Sequence, residues 1–280
     1  PIYPLLEMAY DACTCRRRWS IVNGAESLIR SLVAAGVDVC FANPGTSEMH
    51  LVQAIDAVPE MRGILSLFEG VCTGAADGYG RMMGKPATTL LHLGPGLGNG
   101  IANLHNARRA ATPVINLVGN HALYHVELDA PLTSDIDTLA RNVSCWIKSD
   151  STAASLSSDG MQALQASLTA RPGSSGQIAS LIIPADACWE DASSLAEALR
   201  PPERPEVDDQ RVRSVAESIG PGTLLLLDGD GLSIEAKVAA NRIRSGTGCR
   251  VALGCFPARI DGGAGVPSVE RLPYFPEHVL

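Results

Sequence analysis

Two side chains in this sequence stand where acid–base chemistry could be done. Glu69 lies between an apolar run, Ile64-Leu65-Ser66-Leu67-Phe68, and a small-residue stretch, Gly74-Ala75-Ala76-Asp77-Gly78-Tyr79-Gly80-Arg81. A carboxylate wedged between a strand and a close-packed helix is largely desolvated, which penalises its charged form and favours sharing a proton with a ligand nitrogen. The same position also suits a hydrated charge that complements a helix N-terminus. His92, in the apolar run 87–93, serves either as a hydrogen-bonded packing residue or in proton transfer. Around them lie Asn43-Pro44-Gly45-Thr46-Ser47-Glu48, a turn rich in backbone and hydroxyl donors, and Gly119-Asn120-His121. A glycine-rich run, Gly94-Pro95-Gly96-Leu97-Gly98-Asn99-Gly100, reads as a loop that brings backbone close to a ligand or to the adjoining helix.

These residues share one placement: each follows a run that reads as a strand. From Asn23 onward, short apolar runs alternate with helical patterns, the sequence form of an α/β fold with a parallel sheet flanked by helices. Strands are expected at Val37–Phe41, Gly63–Phe68, Ala87–Leu93, Pro113–Val118, Ser144–Lys148 and Ser180–Ile183. Helices are expected near Ala25–Ala35, stopped by Gly36, and over Val71–Met83, Gly100–Ala110 and Ser157–Ala170. In open α/β sheets ligands bind outside the carboxyl ends of the strands. Four neighbouring strand ends could therefore present a hydroxyl (Thr46), a carboxylate (Glu69), an imidazole (His92) and an amide (Asn120) to one crevice. The glycine run is not a dinucleotide fingerprint, because GxGxxG fails and no acidic residue ends the next strand to hold a ribose; no P-loop occurs either.

The sequence divides into four parts. Residues 1–21 match no periodic pattern and read as an N-terminal extension; 22–190 form the first domain; 191–206 are a linker centred on Arg200-Pro201-Pro202-Glu203-Arg204-Pro205; and 207–280 begin a second α/β domain. In that last part, strands at Thr223–Leu227 and Arg250–Phe256 flank a helix from Ser233 to Arg244. One βαβ unit is too little to cover both faces of a parallel sheet.

Composition narrows the class. With 46% hydrophobic and 19% charged residues, 27 glycines and 18 prolines, the 280-residue chain is globular rather than disordered. Its net charge of −8 gives no general attraction to phosphate backbones, so nucleic acid is excluded as an expected partner. The eight cysteines form no CxxC pair and no His/Cys cluster at zinc spacing, so no metal site is expected and a reduced, cytoplasmic setting fits. No apolar run approaches the roughly 20 residues that a spanning helix needs.

Taken together, the segments 43–48, 69–81 and 94–100 resemble the N-terminal pyrimidine-binding domain of the thiamine-diphosphate (ThDP) enzymes that include acetolactate synthase and benzoylformate decarboxylase. Phe256-Pro257-Ala258-Arg259 and Glu270-Arg271-Leu272-Pro273-Tyr274 are similar to the start of that family's central domain. The resemblance implies a ThDP-dependent lyase or transferase that decarboxylates or ligates 2-oxo acids. In it, Glu69 would hydrogen-bond the aminopyrimidine N1′, Thr46 would bind the substrate carboxylate and His92 would transfer protons. Asn43, Pro44, Gly45, Gly94, Gly96, Asn99 and Asn120 would line the cofactor. It also implies that Mg²⁺ and the diphosphate are held by a C-terminal domain expected to be absent here, supplied by another subunit of an oligomer or by a separate chain. Gly229-Asp230-Gly231 is a decoy for that domain's motif, since no paired asparagines follow, and Asp228 and Asp230 shape a turn. Some synthase relatives bind FAD through the central domain, which nothing in residues 207–280 supports. The alternative is a truncated or non-catalytic chain that acts as a partner subunit.

Overall fold

The computed structural model describes residues 22–169, 176–192, 195–197 and 206–278. The expected extension at 1–21 and the proline-rich centre of the linker, 200–205, lie outside the described residues.

The chain enters through β1 (Val22–Asn23) and α1 (Gly24–Ala34), whose first turn is closed by Asn23 accepting from the Glu26 amide. There follow β2 (Val39–Asn43), a 3₁₀ turn (Thr46–Glu48), α2 (Met49–Ala57), β3 (Arg62–Leu65), α3 (Glu69–Met83), β4 (Ala87–Leu91), α4 (Leu93–Arg109) and β5 (Val114–Asn120). Short helices α5 (Leu123–Val126) and α6 (Ile136–Arg141) lead to β6 (Trp146–Lys148), α7 (Leu156–Leu168), β7 (Ile178–Pro184), α8 (Ala185–Trp189) and β8 (Asp191–Ala192). β8 pairs antiparallel with β1. The six longer strands form one parallel sheet in the order β3-β2-β4-β5-β7-β6.

Alternation along the strands divides two cores. Cys40, Ala42, Leu90, Ile115, Leu117 and Leu181 face α1, α2, α7 and α8, whereas Val39, Phe41, Leu91, Val114, Val118 and Ile182 face α3, α4 and α6. In the middle of the second face, where alternation calls for apolar side chains, three registered residues are polar. Thr89 Oγ1 donates to Asn116 Oδ1 at 2.9 Å, and Asn116 Nδ2 donates to Ser180 Oγ at 2.9 Å. All three are fully buried and satisfy one another, so the row stabilises a single register; a slip of one residue would leave each unpaired.

The main departure from the expected elements is α4, which begins at Leu93 and takes in the glycine run read as a loop. Pro95 sits in the first helical turn, where its missing N–H costs nothing. Gly94, Gly96 and Gly100 are sites of close approach: a Cβ would lie 2.4 Å from the Ser134 side chain, 3.2 Å from the Leu91 backbone and 2.8 Å from Thr73 Cγ2, respectively. The helical penalty of these glycines is offset by tight packing of α4 on α3 and on β4. The sequence pattern gave no helix at α2 either, and the strand expected at Val37–Phe41 is β2, which runs two residues later, Val39–Asn43.

In residues 206–278, α9 (Asp209–Ser218) precedes β9 (Leu224–Leu227), a 3₁₀ turn (Gly229–Leu232), α10 (Ile234–Thr247), β10 (Arg250–Leu253) and β11 (Glu270–Arg271). These strands form a parallel sheet, β11-β10-β9. Asp228 Oδ1 accepts from the Gly229 amide at 2.8 Å and starts the turn that follows β9. Arg259 donates to the carbonyls of Arg81 and Met82, and Arg81 donates to that of Ala258, so the end of α3 is tied to this second unit.

Candidate functional site

The strand order locates the site. From β2 the chain steps to β3 on one side and then crosses back to β4 on the other, so the crevice opens between the carboxyl ends of β2 and β4. Asn43, the last residue of β2, stands in register with Leu91, the last residue of β4. Residues 44–48 and His92 therefore meet at one edge although more than forty positions separate them.

Glu69 is the first residue of α3 and is 8% exposed. Its Oε2 accepts from Asn99 Nδ2 at 3.0 Å, while its Oε1 has no hydrogen-bond partner among the described residues. The backbone of α3 is locked beneath it, because Thr73 Oγ1 donates to the Gly100 carbonyl and Asn103 Nδ2 to the Gly70 carbonyl. Burial, and less strongly the Glu69 carboxylate, pushes up the neighbouring Cys72 thiol. The residues flanking Glu69 are apolar and unpacked: Leu67 is 94% exposed, and Leu65, Phe68 and Val71 are exposed as well.

Gly96 joins Glu69 to His92. A Cβ on Gly96 would lie 3.3 Å from Glu69 Oε1 and 3.5 Å from His92 Cβ, so the bare glycine separates carboxylate from histidine. The His92 carbonyl accepts from the Gly96 amide at 2.7 Å. Leu93, between them, has φ 53°, a left-handed conformation that costs a leucine on the order of 1–2 kcal/mol and is held here by complete burial. On its other side, His92 Nδ1 lies 2.8 Å from Oε2 of Glu48, which also accepts from the Gly45 amide at 2.7 Å.

The structure thus gathers Glu69, His92, Gly45, Gly96 and Asn99 at one crevice, with Asn43 and Pro44 on the strand end that forms its wall. Thr46 is exposed in the 3₁₀ turn and has no hydrogen bond to Glu69 or His92. Gly94 packs against Ser134, and Asn120 Oδ1 accepts from its neighbour's amide, at His121. Sequence reasoning missed Glu48, which it quoted only as part of a turn. Glu48 is fully buried, and the one local signal was its place three residues after Gly45, where a carboxylate can reach back to an amide.

A parallel sheet with buried carboxylates just beyond the carboxyl ends of its strands, flanked by helices, defines an α/β domain. Residues 22–140 match the family model described as thiamine pyrophosphate enzyme, N-terminal TPP binding domain, thiamine pyrophosphate being ThDP. The chain is 53% identical over 261 residues to the "Putative acetolactate synthase large subunit" of Mycobacterium tuberculosis, covering 91% of this chain and 49% of that protein. It is 32% identical over 112 residues to benzoylformate decarboxylase of Pseudomonas aeruginosa, covering 40% of this chain and 21% of that protein. The Rhodococcus jostii ThDP-dependent 4-hydroxybenzoylformate decarboxylase shares the fold with a TM-score of 0.74 at 20% identity, over 84% of this chain and 45% of that one. Residues 22–140 therefore carry the N-terminal TPP-binding domain of the thiamine pyrophosphate enzymes. It spans about half the length of its M. tuberculosis relative.

Proposed function

We propose that this chain supplies the aminopyrimidine-binding part of a ThDP-dependent, acetolactate synthase-like enzyme that decarboxylates or ligates 2-oxo acids, with residues 22–190 as the functional domain and 207–280 as part of a second. The carrying observation is the state of Glu69: buried, anchored through one oxygen by Asn99, and with the other left for a ligand at the crevice. That arrangement fits an aminopyrimidine, whose ring nitrogen needs one short hydrogen bond from a desolvated carboxyl group.

When bound, ThDP supplies the carbon centre that adds to the substrate carbonyl and holds the electron pair left by carbon dioxide. Glu69 holds the proton shared with the pyrimidine ring, and Asn99 fixes the plane of the carboxyl group. Gly96 leaves Oε1 uncovered on the side where a Cβ would stand, so the glycine would admit a ring there. His92 transfers protons to or from the substrate, Thr46 meets the substrate carboxylate from the exposed turn, and Asn43, Pro44, Gly94 and Asn120 complete the rim. Mg²⁺ and the diphosphate belong to another domain or subunit. The exposed apolar residues Leu65, Leu67, Phe68 and Val71 beside Glu69 support such a cover, since an unpacked patch of this kind marks an interface.

Calorimetric titration of ThDP with Mg²⁺ tests the reading, using the wild-type chain and Glu69→Gln, each alone and mixed with a diphosphate-binding polypeptide of the family. Binding that needs the added polypeptide and weakens in Glu69→Gln is the expected result. Equal binding by both proteins overturns the assignment of Glu69.

A further inference from the structure

Glu48 has two oxygens in unequal circumstances. Oε2 meets both the Gly45 amide and His92 Nδ1, whereas Oε1 is buried with no hydrogen-bond partner among the described residues. Oε1 presses against Gly119 of β5 so closely that a Cβ there would lie only 1.6 Å from it. On the other side lies the buried Cys188, whose thiol is pushed up to about 12, chiefly by its own burial and next by the Glu48 and Asp186 carboxylates. A carboxylate that only closed the 46–48 turn would need the Gly45 contact alone and would remain hydrated. Inserting it fully, with one oxygen stripped of donors, is unfavourable unless something else is gained.

The other local features converge on the imidazole. A Cβ on Gly45 would lie 2.3 Å from His92 ring atoms, so this glycine clears one face of the ring. The left-handed Leu93 and the Gly96 amide fix the backbone on which the ring is carried. Strands β2, β4 and β5 thus each contribute, through the residues at or just beyond their carboxyl ends, to holding one histidine.

We propose that Glu48 is the positioning residue for His92: it keeps the ring proton on Nδ1 and leaves Nε2 as the nitrogen that takes up and releases protons, with Gly45 and Gly119 as the clearances that make this possible. The inference deepens the proton-transfer role proposed for His92 and rests on it for its functional meaning. In the neutral ring an ionised Glu48 can bond Nδ1 only if Nδ1 carries the proton, which selects one tautomer.

The test is ¹⁵N NMR of the histidine-labelled chain at a pH where the imidazoles are neutral, with the His92 signals assigned by their loss in His92→Asn. Wild-type protein is expected to favour the Nδ1–H form by at least about tenfold, the ratio that a charge-assisted hydrogen bond gives. Glu48→Met and Gly119→Ala, which remove or displace the carboxylate, are expected to return a mixture of tautomers. A wild-type ring protonated on Nε2 overturns the proposal, as does a folded Glu48→Met protein that keeps the Nδ1–H form. Should Glu48→Met fail to fold, the wild-type tautomer still decides. Turnover of His92→Asn, assembled with a diphosphate-binding polypeptide, separates the two claims: unchanged turnover removes the catalytic role of His92, whereas the tautomer is read without any reaction.

Discussion

Asn99, in the second turn of α4, donates from Nδ2 to Glu69 Oε2 at 3.0 Å, so the carboxylate that opens α3 is oriented by the neighbouring helix. Asn99 is exposed and its bond to Glu69 is only partly buried, so replacing it should leave the chain folded, at a cost of no more than about 3 kcal/mol. Losing a hydrogen bond to a charged group is worth about 1.5–3 kcal/mol. Asn99→Ala should therefore lower turnover of the assembled enzyme roughly tenfold to a hundredfold. Glu69→Gln should lower it by about 10²–10⁴-fold, the range for loss of an acid–base group. Steady-state kinetics beside thermal melts separates the two effects; wild-type turnover in Asn99→Ala would show that the carboxyl group needs no such anchor.

Two glycines of the same helix should respond oppositely to alanine. At Gly98 a Cβ would meet nothing within 4 Å, so Gly98→Ala should stabilise the fold by about 0.5–1 kcal/mol through helix propensity. At Gly100 the Cβ would fall 2.8 Å from Thr73 Cγ2, and Gly100→Ala should destabilise by roughly 1–3 kcal/mol as α4 is pushed from α3. Urea denaturation midpoints measure both, and equal responses would contradict the packing of these helices.

The buried row Thr89–Asn116–Ser180 gives a non-additivity test. Thr89→Val keeps the shape but leaves Asn116 Oδ1 without its donor, at about 1–3 kcal/mol. Adding Asn116→Leu removes the orphaned acceptor, so the double variant should cost less than the sum of the single changes. A double-mutant cycle by chemical denaturation reads the coupling, and strict additivity would mean that the hydrogen bond contributes nothing.

Alkaline pH should weaken the fold through its buried thiols. Burial pushes both Cys40 and Cys188 up to about 12 from an ordinary value of 9.0. Between about pH 9 and 12 the unfolded chain loses these protons while the folded chain keeps them, so stability falls as pH rises through that window. The linkage is on the order of 4 kcal/mol for each thiol at its upper bound. Cys40→Ala/Cys188→Ala should flatten the alkaline limb of a stability-versus-pH curve relative to wild type. Parallel limbs would exclude the thiols as its cause.

Much of this architecture could be read in advance because its signals are local. The runs at 87–91 and 114–118 read as strands from their mostly apolar and β-branched residues, and Gly36 marks the end of α1 by chemistry that operates within one turn. The glycine run misled for the same reason. Read locally, four glycines and a proline in seven residues mean a loop; in the folded chain Thr73, Ser134 and the β4 backbone supply the contacts that make a helix of them.

By itself the sequence determined the chemistry on offer: a desolvated carboxylate at a strand-to-helix junction, a histidine at the next strand end, and glycines at or just beyond the ends of four strands, at 45, 70, 94 and 119. Those depend on residue type and on neighbours a few positions away. Only the tertiary structure decided which groups meet. The crossover that sets β4 beside β2 brings Glu48 to His92 across 44 positions, and the packing of α3 on α4 brings Asn99 to Glu69 across 30. No periodicity encodes those partners, because strand order follows from how whole faces are buried rather than from any short run of residues.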